Sequence, residues 1–410
     1  MKQIILENGT TVLMNGTSTC TSARSFEISL VIKTGHINEP KLGLASLYEN
    51  IVIRQAQRSG KNIVPSYGGN ITAFTTGGNV SSLKKTLLEL WDACCNPHVT
   101  ELEVSDAAQD ILQHTVDLSK VPERQTKLAY KHTAFAQDDV VWDTAEYIRR
   151  VSELTVEDVH EYIAANYVGK NLIISYSGPE DALETLIGLC EQLFGERPAG
   201  KRTQVKKLLY TGGSETITDG ENTMLLAAFG WDISKLSDFA ETNVLMSMLS
   251  ARLERELTPS GVACDLKIAG YYGFRTLRIL LEVRVLHPDN SSEVADAKKR
   301  FTDAIDVVCH NISRISHECA SDRRMETSRQ RAMTQRLAIS NEKLLKTVES
   351  AWLHLNRGIT YDNERCISKI WQVDAADIRD MAEKIFSQKL TFVTYGTDAI
   401  DYEEIVAKMK

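Results

Sequence analysis

Apolar residues Leu44, Leu47 and Ile51, with Ala45, Tyr48 and Val52 beside them, recur every three or four positions. That spacing predicts an amphipathic helix over residues 42–57. The same reading predicts strands at 4–14, 25–34 and 66–76, where apolar and β-branched residues cluster, and a short buried strand at 171–176. Helices are expected at 81–95, closed by the stop signal Asn96-Pro97, and at 100–117 with Glu101 and Glu103 in its first turn. Thr155, followed by Glu157 and Asp158, reads as an N-cap with first-turn acids for a helix ending near Asn166.

The pattern then repeats. Ile148, Val151, Leu154, Asp158, Val159 and Tyr167 recur as Ile367, Ile370, Val373, Asp377, Ile378 and Phe386 at a constant offset of 219, and the strand ending at Gly178 is echoed at 390–396. Residues 196–213, rich in Gly, Pro, Lys and Arg without apolar periodicity, read as a linker. The expected architecture is therefore a duplicated α+β unit, with domains at 1–195 and 214–410.

Charge narrows the function classes. The chain of 410 residues carries a net charge of −8, which gives no electrostatic support to a nucleic-acid or anionic-membrane role. The start of the chain has no apolar core long enough for a signal peptide, and no stretch approaches a membrane span. Eight cysteines, scattered singly apart from Cys94-Cys95, read as free thiols. A cytoplasmic setting is expected.

The chemistry centres on the helix over 42–57. Ser46 and Asn50 are four apart and share a face, with Glu49 beside them. In the inverzincin pattern His-x-x-Glu-His, two histidines at these positions hold zinc and the Glu takes a proton from metal-bound water. Here Glu49 is kept and both histidines are absent. Around it, in order, run Leu6-Glu7-Asn8-Gly9-Thr10, the strand through Ile28 to Gly35, Glu39, Gly68 to Thr75, and the series from Ile148 to Gly178. In order and spacing this series resembles the pitrilysin/insulinase family of peptidases, in particular the two-domain bacterial relatives of the mitochondrial processing peptidase.

The resemblance implies two homologous domains, each a mainly antiparallel sheet covered by helices, and a dimer whose four domains enclose a peptide chamber. It implies a third ligand, a Glu in the family, at the position held here by His114. Ser46, Asn50 and one His are a poor zinc set, so the site is expected to be vestigial (Ser46, Glu49, Asn50, His114), without metal. The family's substrate-gripping Arg and Tyr fall on Thr258 and Cys264; Arg255 is expected to be a solvated helix charge. The family adds its peptide to a sheet edge. Ala73, Phe74 and Thr75 resemble that edge, with Thr72 where an Asn is usual, and the alternative is a plain core strand. Cys309-His310 with His317 and Cys319 matches no zinc-module spacing, and Cys94-Cys95 reads as packed thiols rather than a redox pair.

The resemblance thus points to a non-catalytic subunit of a heterodimeric zinc metallopeptidase, with zinc only in a partner carrying His-x-x-Glu-His, and a peptide as substrate. The rival readings are an active homodimeric peptidase with a rearranged metal site and a purely structural subunit.

Overall fold

Asn8-Gly9 breaks the first apolar run. Gly9 takes φ +91° and the Asn8 side chain accepts from the Thr10 amide at 3.0 Å, so residues 4–14 form two strands rather than the single one expected. The computed structural model describes all residues except 1, 18–23, 136–143, 205–207, 220, 222, 235–238, 272–273, 319, 342 and 359–362. The first half runs β1 (Lys2–Ile5), β2 (Thr11–Thr17), β3 (Ser25–Ile32), α1 (Leu44–Arg58), β4 (Val64–Gly68), β5 (Ile71–Asn79), α2 (Leu83–Cys95), α3 (Glu101–Ser119), α4 (Pro122–Ala134), α5 (Thr144–Ser152), α6 (Val156–Asn166), β6 (Leu172–Pro179) and α7 (Leu183–Phe194). The second runs β7 (Gly213–Ile217), β8 (Met224–Asp232), α8 (Phe239–Leu257), β9 (Ala263–Tyr271), β10 (Phe274–Arg284), α9 (Ser291–His317), α10 (Asp322–Asn341), α11 (Lys343–Arg357), α12 (Asn363–Gln372), α13 (Ala375–Phe386), β11 (Thr391–Tyr395) and α14 (Tyr402–Met409).

The strands build two sheets, ordered β1-β2-β6-β3-β5-β4 and β7-β11-β8-β10-β9. Leaving out β1, the two orders correspond strand for strand. Each sheet has one parallel pair, β2 with β6 and β7 with β11, and is antiparallel elsewhere. The α+β class and the mainly antiparallel, helix-covered sheets are as the sequence led one to expect. Among the described residues no helix is long and apolar enough to cross a membrane.

Two compact units result. The first contains residues Met1–Val116, Asp143–Lys207 and Ala338–Asp362, the second Asp117–Trp142, Leu208–Leu337 and Asn363–Lys410. Helix α4 therefore belongs with the second sheet, and α11 with the first. Shifting α4 by the repeat offset of 219 lands on α11, so the two are equivalent helices with exchanged places. In the first unit Ala351 of α11 packs on Leu13, Val31, Ile71, Ala73 and Ile173, and Thr347 hydrogen-bonds Ser29 at 2.7 Å. In the second, Tyr130 of α4 lies over Gly230, where any side chain would collide with its ring. The opposite face of that sheet buries alternate residues, Leu225, Ala227, Phe229 and Trp231 on β8 and Leu277, Ile279, Leu281 and Val283 on β10. They pack against α8, α9 and α13, each large side chain contributing ~1.5–3 kcal/mol.

Candidate functional site

Helix α1 is held at its start, along its buried face and along one flank. At the start, Glu39 accepts from the Gly43 and Ala45 amides at 2.9 and 2.8 Å. A carboxylate there satisfies orphan N–H groups and opposes the positive end of the helix dipole. Gly43 takes φ +89°, and a Cβ on it would lie 2.4 Å from Val151 Cγ2, so no other residue fits without strain. Next to it, Lys41 Nζ meets Asp158 Oδ1 at 2.5 Å. Asp158 also closes a reciprocal cap with Thr155 at the start of α6. Burial works to raise the Asp158 pKa, but the Lys41 and Thr155 hydrogen bonds outweigh it and hold the carboxyl below its usual range.

The buried face is anchored by Tyr48, whose ring meets those of Tyr162 and Tyr167 edge-on at 6.1 and 4.9 Å. Its hydroxyl donates to the Cys94 carbonyl at 2.8 Å. Along the flank, Arg54 pairs with Asp106 and Asp110 of α3, and Arg58 with Glu103 and Asp106. Residue numbers rise on α1 as they fall on α3, so the helices run antiparallel.

Ser46, Glu49 and Asn50 lie together on α1 by helical spacing, and His114 lies on α3, whose acids reach Arg54 and Arg58 of α1. None of the four has a side-chain hydrogen bond or ion pair among the described residues. Asn50 Oδ1 is buried without a partner. Burial, with no compensating cation, pushes Glu49 up to about 8. His114 is exposed. These donors do not fit zinc, which takes imidazole, thiolate or carboxylate. One imidazole and one carboxyl fall short of three ligands, and Ser and Asn do not make up the deficit. Among the described residues, no three His, Cys, Asp or Glu side chains are grouped to hold a metal ion.

The proposed peptide-binding edge requires correction. Ala73, Phe74 and Thr75 lie in β5, which pairs with β3 on one side and β4 on the other, and all three are buried. Residues 66–76 are not one strand but a hairpin, folded at Gly69-Asn70, whose outer strand is β4. The core-strand alternative holds for Ala73–Thr75, and the sheet edge is Val64–Gly68. In a two-residue hairpin Gly68 and Ile71 bond each other, so Ser66 and Val64 face inward and Tyr67 and Pro65 turn their backbone outward. Pro65 has no N–H, which blunts that edge. Thr72, also buried, donates to the Thr34 carbonyl at 3.0 Å.

The remaining candidates separate. Thr258 is exposed in a short 3₁₀ turn, and Cys264 is partly buried with its thiol pushed up to about 12 by burial. Arg255 pairs with Glu256 at 3.0 Å as a solvated helix charge. Cys309 is buried in the core while His310, on the same helix, is exposed; Cys319 lies outside the described residues. Cys94 and Cys95 are buried free thiols. Two positioning contacts escaped the sequence reading. Gly43 had a signal, a glycine just before the helix, whereas nothing in the sequence pairs Lys41 with Asp158.

No known family profile matches the chain. The alpha subunit of the mitochondrial-processing peptidase of Solanum tuberosum is 22% identical over 424 aligned residues, spanning 94% of this chain and 81% of that protein. A chain in the structure of complex III2 from Candida albicans with Inz-5 bound shares the fold at a TM-score of 0.80. It does so with 13% identity over 100% of this chain and 99% of that one. The fold is the two-domain pitrilysin-like one. The chain is distantly similar to a peptidase subunit.

Proposed function

We propose that this chain is the non-catalytic subunit of a heterodimeric zinc metallopeptidase, working in the cytoplasm beside a partner that carries an intact His-x-x-Glu-His. The observation that carries the reading is Glu49. It is retained on a helix held by Glu39, Gly43 and Asp158, yet it is flanked by Ser46 and Asn50, which do not ligate zinc. The distant likeness to a named peptidase subunit supports the same reading. In this proposal the chain supplies peptide-binding surface, and zinc resides in the partner alone.

The test is to purify the tagged chain from its host, identify what accompanies it, and measure zinc and peptide hydrolysis for the chain alone and for the pair. Zinc and hydrolysis only in the pair, with Glu49→Gln changing the rate less than twofold, is the expected result. Chelator-sensitive hydrolysis with stoichiometric zinc in the chain alone would install the homodimeric enzyme instead. A stable partner that is no peptidase would make the chain a scaffold.

A further inference from the structure

Strand β9 is the outer strand of the second sheet, nine residues long and paired only with β10 among the described residues. The Arg275 carbonyl accepts from the Ile233 amide, so Arg275 of β10 bonds toward β8. By alternation Thr276, Arg278, Leu280 and Glu282 bond toward β9, where they stand opposite Ala269, Lys267, Asp265 and Ala263. The backbone of Cys264, Leu266 and Ile268 therefore points away from the sheet, and no backbone partner meets these three among the described residues. Nothing within the strand blunts this edge. Its register with β10 runs without a bulge and it has no proline, whereas its counterpart in the first sheet, β4, carries Pro65. An edge of this length is a template for another strand.

The side chains of β9 decide which strand. Cys264, Leu266 and Ile268 are half-buried on the face that packs on the core of the second unit. Asp265 and Lys267 are exposed on the other face, where Asp265 lies 2.5 Å from Lys267 and 3.5 Å from Arg278. About Leu266, the segment Cys264-Asp265-Leu266-Lys267-Ile268 is complementary to itself. In an antiparallel pairing of two copies about a two-fold axis at Leu266, Asp265 faces Lys267 of the other copy, Cys264 faces Ile268, and Leu266 faces Leu266. The three outward residues of each strand then exchange N–H···O bonds across the axis. Two pairs of opposite charge straddle it on one face, and apolar side chains meet on the other. Other registers are worse. An axis at Asp265 or at Lys267 sets like charges directly opposite each other, which is destabilising. A slip by one residue sets the apolar face of one strand against the polar face of the other.

We propose that β9 is an interface for a second copy of this chain, joining the two five-stranded sheets into one continuous sheet through an isologous antiparallel pair centred on Leu266. The proposal goes beyond the subunit reading given above and does not depend on it. The apolar residues and backbone groups supply attraction, and Asp265 and Lys267 select the register.

The test is sedimentation velocity of the purified full-length chain in reducing buffer over a series of concentrations. The chain should dimerise reversibly, the dimer weakening as salt screens its charge pairs. Asp265→Lys alone, or Lys267→Asp alone, sets like charges across the axis and should weaken the dimer at least tenfold. Mixing these two variants should restore it to within threefold, because each then meets opposite charges, and recovery in the mixture shows that both fold. Asp265→Lys/Lys267→Asp in one chain should restore it likewise. Asp303→Lys, a similar charge change at an exposed position of α9, should change it less than twofold. Single swaps without effect, or a mixture no tighter than either variant alone, would overturn the proposal. A chain monomeric at every concentration would overturn it too, and would leave the β9 edge to a strand from a different protein.

Discussion

Helices α6 and α13 lie one repeat apart and begin with the same device. Thr155 and Asp158 exchange side-chain and backbone hydrogen bonds at the start of α6, and Asp374 and Asp377 do the same at the start of α13. Their surroundings differ. Asp158 is buried and takes the Lys41 ammonium, which ties the cap to the segment that starts α1. Asp377 is exposed and makes only its capping bond. Duplication thus preserved the local cap, because a helix start needs it wherever it occurs. Only the first copy uses the cap to fix the helix bearing Ser46, Glu49 and Asn50. The segment bearing Ser46, Glu49 and Asn50 is thus firmly mounted.

The comparison can be broken most severely at Gly43. Gly43→Ala should cost about 3 kcal/mol, combining positive-φ strain with the collision at Val151, measured as a shift of the urea midpoint at unchanged slope. A loss under ~1 kcal/mol would mean that α1 shifts freely and is not held as described. Next, Asp158→Ala and Asp377→Ala should differ, at about 2 and about 1 kcal/mol, the upper and middle parts of the range for cap removal. Because Asp158 is held below its ordinary pKa, its contribution is present above the unfolded carboxylate range and is lost as pH falls through the folded value. The difference between the two variants should therefore shrink toward pH 3, and equal losses at neutral pH would erase the asymmetry. Removal of the Glu39 carboxylate by Glu39→Ala should cost about 1 kcal/mol, with the far-UV signal of the remaining helices retained.

The smallest effect is expected at Glu49. Its pKa is raised to about 8, so the native state holds a proton that the unfolded chain releases near pH 4. Stability contributed by that proton uptake is present at low pH and falls as pH rises toward 8. Glu49→Gln should be neutral near pH 5 and stabilising by roughly 1 kcal/mol at pH 9, less than the full shift implies because the group is partly exposed. Destabilisation by Glu49→Gln at pH 9 would reveal a cation or metal that the carboxylate serves.

The sites differ in how much of them the sequence exposed. Helical spacing alone put Ser46, Glu49 and Asn50 on one face, since that follows from 3.6 residues per turn. The pairing of α3 with α1 depends on ion pairs between residues some fifty positions apart. The misplaced peptide edge has a similar cause. Residues 66–76 read as one strand although Gly69-Asn70 is itself a hairpin turn signal, and those two residues turn the chain back on itself. Whether a strand lies at an edge is a property of the sheet, which no single strand's composition encodes.

By itself, the sequence determined the duplication, the α+β class, the capped helices and the side chains present at Ser46, Glu49 and Asn50. These are local properties, set by periodicity, by capping chemistry and by which side chains are present. Tertiary structure alone decided that α4 and α11 exchange sheets, that β4 rather than β5 is the edge, and that Lys41 reaches Asp158. It also decided that burial raises the Glu49 pKa. The physical reason is the same throughout. Burial, pairing order and electrostatic proximity arise from segments far apart in the chain, and their free energies exist only once those segments are packed together.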